Sequence, residues 1–229
     1  MLNKLVEASL AALSGLRDGA TVLISGFGDA GTPTTLLSAV LAHGARNLTL
    51  VNNNAGAGSA TVAALIEQGR VRKVVCSFPR GAHSKALDER FARGEVVVEV
   101  VPQGTLAERL RAGGAGIPAF YTPTGVGTRL GAGKERRIFN GREFLMEEAI
   151  CADFALVRAC TADRWGNLTY RKAARNFGPV MCTAAEVTVA EVDRIVPLGA
   201  LDPEVIVTPG IHVDRVVLAS KEPVPEPAS

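Results

Sequence analysis

The first half of the chain alternates two hydrophobic periods. Short apolar runs rich in β-branched residues cover 21–25, 48–51, 73–78 and 96–101, with Gly, Asn or Pro marking their ends. Between them, 34–43, 60–68, 85–93 and 105–111 carry apolar residues at helical spacing. Strand, loop and helix in repetition predict βαβ units and a mostly parallel sheet covered on both faces. The near-continuous apolar strands suit such double burial better than alternating ones would.

The second half has a different rhythm. Segments 136–139 and 142–145 flank Asn140-Gly141, a dipeptide that favours a tight hairpin turn. A second hairpin is expected about 163–167, and 186–192 alternates as a half-exposed strand should. Leu2, Leu5, Val6, Leu10 and Leu13, with Lys4 and Glu7 among them, predict an amphipathic helix face rather than a signal peptide. The tail 221–229 holds three prolines and no apolar pattern, so it is expected to fray. The expected architecture is one α/β domain over 1–220. Its sheet is open and mostly parallel, with flanking helices and β-hairpin additions.

Composition then removes several classes of function. The 229 residues include 25 basic and 23 acidic side chains, a net charge of +2 with no basic block, which excludes a nucleic-acid binder. No apolar run is long enough to span a bilayer. Cys76, Cys151, Cys160 and Cys182 form no Cys-x-x-Cys pair, as expected of free thiols in the cytoplasm. His43 precedes Gly44 at an expected helix end, and His83 and His212 lack neighbours at ligand spacing, so no metal site is expected. Glu147-Glu148 reads as a pair of solvated carboxylates.

The remaining candidates are loops. Gly26-Phe27-Gly28-Asp29-Ala30-Gly31 fits G-x-G-x-x-G between a strand and a helix, where a backbone can approach a ligand and a helix N-terminus can meet an anion. A tight turn of purely structural use fits it as well. A nicotinamide-dependent oxidoreductase would need an acidic residue at the end of the second strand. Asn52-Asn53-Asn54-Ala55-Gly56 stands there instead, which argues against that reading. Ser77-Phe78-Pro79-Arg80, Pro102-Gln103-Gly104 and the loop 123–128 adjoin the same strand ends. Together they make a cleft of amides able to orient carboxylates and carbonyls, without a nucleophile beside a base. The block Arg171-Lys172-Ala173-Ala174-Arg175 suits an acidic substrate, an acidic patch on a partner, or simple solvation.

The stretch from Asp18 to Pro33 resembles the first signature of the family I coenzyme A transferases, with Ser25 where glycine is usual. The resemblance continues through 53–56, 102–109, 122–125 and 170–177, nearly the whole chain. It implies the CoA-transferase (NagB/RpiA-like) fold and the A (α) subunit of a two-subunit enzyme, paired with a B (β) subunit in an α2β2 assembly. Segments 73–80 and 166–170 favour members that carry CoA from succinyl-CoA to 3-oxoadipate, in the β-ketoadipate route of aromatic catabolism. Members acting on acetoacetate are the runner-up. The family's nucleophile is a glutamate in a Ser-Glu-Asn-Gly-type stretch of the B subunit, and this sequence contains no Glu-Asn-Gly. No catalytic residue is therefore expected here, and no permanent cofactor, with coenzyme A itself a substrate. By the same resemblance Ser25, Gly26, Phe27, Gly28, Asp29, Ala30 and Gly31 would contact CoA, and Asn53, Asn54 and Gln103 would line the acyl pocket. Arg80 is our own candidate for the distal carboxylate of a dicarboxylic acid.

Overall fold

The structure, a computed structural model, describes residues 2–55, 60–79 and 85–220. Strands and helices alternate through the first half: β1 (Thr21–Ile24), α1 (Thr34–His43), β2 (Leu48–Val51), α2 (Ala60–Glu67), β3 (Val71–Cys76), α3 (Lys85–Ala92), β4 (Val97–Val100) and α4 (Gln103–Gly114). Then come β5 (Ala119–Thr122), β6 (Arg136–Phe139), β7 (Arg142–Glu148), β8 (Ala152–Ala162), β9 (Leu168–Thr169), α5 (Gly178–Thr183), β10 (Ala185–Ile195) and β11 (Arg215–Leu218). The main sheet runs β11-β10-β8-β1-β2-β3-β4, parallel throughout, with β9 antiparallel to β8. A separate antiparallel sheet has the order β5-β7-β6.

Successive side chains of each strand feed opposite cores. Val22 and Ile24 of β1, with Leu50 of β2, pack under Leu36, Leu37, Leu65 and Leu87 of α1, α2 and α3. Leu23, Val51 and Val75 pack against Leu106, Leu110 and Met181 of α4 and α5. This double cover is what apolar strands such as Leu48–Val51, buried at every position, require. The Asn140-Gly141 hairpin forms as expected, both residues at positive φ (51° and 75°) between β6 and β7. In the second hairpin, the Asp163 carboxylate accepts from the backbone N–H groups of Trp165 (2.9 Å) and Asn167 (3.1 Å).

Four expectations need correction. Strand β10 is central rather than half-exposed, because Glu191 is fully buried and ion-paired with Arg158 on the neighbouring strand β8. Strand β4, by contrast, is the sheet edge, and Val97 stands exposed. The N-terminal segment forms no amphipathic helix. Its Leu5 bridges Val216 of β11, and only Ala11–Leu13 turns, as a 3-10 helix. Glu147 is buried against Lys134 rather than solvated. The tail 221–229 and His83 lie outside the described residues.

Candidate functional site

Sheet order reverses at β1: the chain moves outward to β4 on one side, and β8 joins β1 on the other. Open α/β sheets bind ligands beyond the strand C-termini at such a switch point. The glycine loop sits there. A tight turn closed by Phe27 N–H to Ala30 C=O (3.0 Å) lifts Phe27 and Asp29 into solvent, while Gly26 and Gly31 are buried below.

On the β2 side the loop is wired to the predicted amides. Gly28 N–H donates to Asn54 Oδ1 (2.9 Å), and Asn53 Nδ2 donates to the same oxygen (2.7 Å). Gln103 Nε2, in the first turn of α4, donates to Asn53 Oδ1 (2.8 Å). The Asn53 carbonyl in turn accepts from the backbone of Ser77 (3.1 Å) and Phe78 (3.0 Å). Three strand-end loops and a helix start are thus joined through one residue, and Asn53 itself is only 1% exposed. Asn54 is half-buried and Gln103 exposed, so these two carry the polar surface of the cleft. A cavity of about 410 Å³ lined by Gly104, Thr105, Tyr121, Thr122 and Thr124 adjoins them, and brings in the 123–128 loop.

Ser25, the residue unusual for the resembled signature, points inward. Wholly buried, its hydroxyl donates to Gly31 C=O (2.7 Å) and accepts from Arg158 N–H (2.9 Å). It shapes the loop from beneath rather than reaching into the cleft. Arg80 lies outside the described residues.

The N-terminus of α1 is not open to an anion. Leu36 N–H donates to Glu191 Oε2 (3.0 Å), and neighbouring Thr35 also stabilises the same carboxylate. Burial pushes the Glu191 carboxyl above the ordinary glutamate value, and Leu36, Arg158 and Thr35 pull it back. The positive end of the helix dipole is therefore spent on an internal acid, and a pyrophosphate cradle of the dinucleotide type is closed.

Asn52, at the start of the amide loop, and Asn176, given no candidate role above, hold the site from beneath. Asn52 Nδ2 donates to Ile24 C=O (2.9 Å), tying β2 to the end of β1. Asn176 grips both ends of the glycine loop: its Oδ1 accepts from Gly26 N–H (3.0 Å) and its Nδ2 donates to Ala30 C=O (2.9 Å). A lone asparagine after a basic run announces neither role in the sequence. Elsewhere, burial raises the thiols of Cys76 to about 11 and Cys182 to about 12, so both stay protonated and unreactive.

This arrangement, neutral amides at the strand ends of a parallel sheet, agrees with the comparisons to known proteins. Residues 6–219 match the coenzyme A transferase model, and the chain belongs to that family. Among its relatives is the A (α) component of 3-oxoadipate CoA-transferase from Pseudomonas putida, 54% identical over 220 residues that span 96% of this chain and 95% of that one. The corresponding component of succinyl-CoA:3-ketoacid coenzyme A transferase from Helicobacter pylori (strain J99 / ATCC 700824) is 45% identical over 96% of this chain and 94% of its own length. In structure the chain is similar to an acyl-CoA transferase from Escherichia coli O157:H7 in thioester complex with CoA. The TM-score is 0.83 at 22% identity over 95% of this chain, which spans 50% of that longer chain. That likeness concerns the fold. No helix among the described residues is long and apolar enough to cross a membrane.

Proposed function

We propose that this chain is the α subunit of a two-subunit, cytoplasmic CoA-transferase that moves CoA from succinyl-CoA to 3-oxoadipate, working in an α2β2 assembly with a B (β) subunit. The observation that carries the reading is the chain of amides Gly28–Asn54–Asn53–Gln103, set at the strand ends of a coenzyme A transferase. Neutral donors orient a carboxylate or a thioester carbonyl without neutralising a nearby nucleophilic carboxylate. The Pseudomonas putida relative favours 3-oxoadipate as acceptor, and the Helicobacter pylori relative makes acetoacetate the competing one.

The chemistry is covalent exchange. A glutamate supplied by the β partner attacks the succinyl-CoA carbonyl and expels CoA thiolate, leaving a mixed anhydride. The thiolate then attacks the glutamyl carbonyl, releasing succinate and leaving an enzyme thioester. The 3-oxoadipate carboxylate attacks that thioester, and the returning thiolate completes the exchange and frees the glutamate. This chain supplies the floor on which the acids and the thioester lie.

Co-expression with a second chain of the β type, followed by assay of succinyl-CoA with each acid, tests the proposal. The expected result is a stable complex, no transfer by this chain alone, and kcat/KM at least tenfold higher for 3-oxoadipate. Higher kcat/KM for acetoacetate would assign the competing specificity. Borohydride after succinyl-CoA treatment should modify the β partner, and modification of this chain would overturn the division of labour.

A further inference from the structure

The glycine loop has a second face, opposite the amides. There a cavity of about 630 Å³ is bounded by the loop, by the turn from Arg171 to Ala174, and by residues of β8 and β10. Its volume lies within the range usual for small-molecule sites. We infer that this turn takes the phosphate groups at the nucleotide end of a coenzyme A thioester, through Arg171 and Lys172 on the cavity wall, with Arg175 adding its charge from the far end of the same turn. The inference rests on the function proposed above and adds the direction in which the substrate lies.

Charge is the first argument. Arg158, also on the cavity wall, is consumed by Glu191 and Asp193. Arg171, Lys172 and Arg175 are all exposed and form no ion pair among the described residues. Asp193 is already paired, so only Asp29 opposes them from the wall and the surface stays net positive. Two like charges in one 3-10 turn and a third at its N-cap, with Lys172 held at φ 50°, repel one another, and an anion relieves that cost.

Elimination is the second. The α1 N-terminus, the other positive group beside the loop, is already capped by the Glu191 carboxylate. The amide face on the far side offers no free cation: its amides are neutral, and the acid lining its cavity, Glu108, is paired with Arg111. A ligand with an acyl carbonyl at one end and phosphates at the other therefore has one favourable orientation, acyl group toward Asn54 and Gln103, phosphates toward the turn.

Geometry is the third. The turn is not a loose flap, since Asn176 ties it to Gly26 and Ala30, and a Cβ on Gly31 would lie 2.4 Å from Ala174 O. The basic side chains are thus presented at a fixed place across from the loop.

The test compares succinyl-CoA with succinyl-pantetheine, a thioester that lacks the nucleotide and its phosphates. Both are assayed on the reconstituted two-subunit enzyme, native and with Arg171→Ser, Lys172→Ser and Arg175→Ser combined. Because exchange is ping-pong, the KM values for thioester and acid are read separately. The variant should lose at least about tenfold in kcat/KM for succinyl-CoA, since one charge-assisted contact is worth about a decade in affinity. It should lose less than about twofold for succinyl-pantetheine, with the KM for 3-oxoadipate unmoved. Rising salt should raise the native KM for succinyl-CoA more than the variant's. Equal losses on both thioesters, or no loss on either, would overturn the assignment. Failure of the native complex to transfer CoA at all would instead overturn the proposed function.

Discussion

Gly31 shows how one missing side chain fixes the site. It sits at φ +77°, and a Cβ there would meet Ala174 O at 2.4 Å and Asn176 Nδ2 at 2.6 Å. Gly31→Ala combines backbone strain with overpacking and should cost ~2–4 kcal/mol, read as a lower urea midpoint. It should also raise the KM for succinyl-CoA, because relieving the clash separates the glycine loop from the 171–175 turn. An unchanged midpoint would mean that the contact is looser than described. At this scale the sequence was partly legible. Glycines at 26, 28 and 31 announce a backbone that must turn sharply, and the run Asn52–Asn54 announces polar groups at a strand end. What they bond to lies up to 150 residues away, as with Asn176, and no local spacing encodes that.

Elements whose own pattern decides their environment could be read directly. Strands β1, β2 and β3 are apolar runs between turn residues, and α1 spans its full expected length before Gly44 closes it in the left-handed region. Strand β10 could not be read this way, because the burial of Glu191 depends on a cation from β8 and on donors from α1. Strand β4 is similar: its apolar sequence suggests a buried strand, yet it forms the edge, held by Glu99. That carboxylate bonds Lys73 of β3 (2.6 Å) and Arg109 of α4 (2.6 Å). Burial would raise its pKa, but the hydrogen bonds and charges of Lys73 and Arg109 outweigh burial and hold it below the ordinary value of 4.5. A depressed carboxyl stabilises the fold above its ordinary value, and that contribution is lost as pH falls through the lowered one. Glu99→Gln should therefore lower the urea midpoint at about pH 6 while flattening its decline from about pH 4.5 downward. A decline as steep as the native one would locate the acid sensitivity elsewhere.

The molecule as a whole is closed by its ends. Lys4 Nζ donates to the carbonyls of Gly210 (2.7 Å) and Val213 (2.6 Å), and the backbone of Lys4 and Val6 pairs with Val216 of β11. Lys4→Met keeps the aliphatic stem and removes both side-chain bonds, at a cost of ~1–3 kcal/mol. Fluorescence of the single Trp165 and far-UV circular dichroism should report the same lowered midpoint. Divergent midpoints would show that the β10–β11 end unfolds by itself. Periodicity suggested a helix for the first residues because strand pairing followed by a 3-10 turn happens to space leucines in the same way. The strand order also bears on how the chain comes to be folded. Strand β1 can pair with β2 as soon as both leave the ribosome, but its other edge waits for β8, whose Asp153 bonds Thr21 across 132 residues of sequence. At about 5–20 residues per second that wait is on the order of 7–26 s. Throughout it, Val22, Leu23 and Ile24 stand at a bare apolar edge, open to the strand edge of any other nascent chain. The strand that sets the binding loop is thus also an edge that a chaperone would shield in the half-made sheet, and one that slow translation leaves open to aggregation for longer.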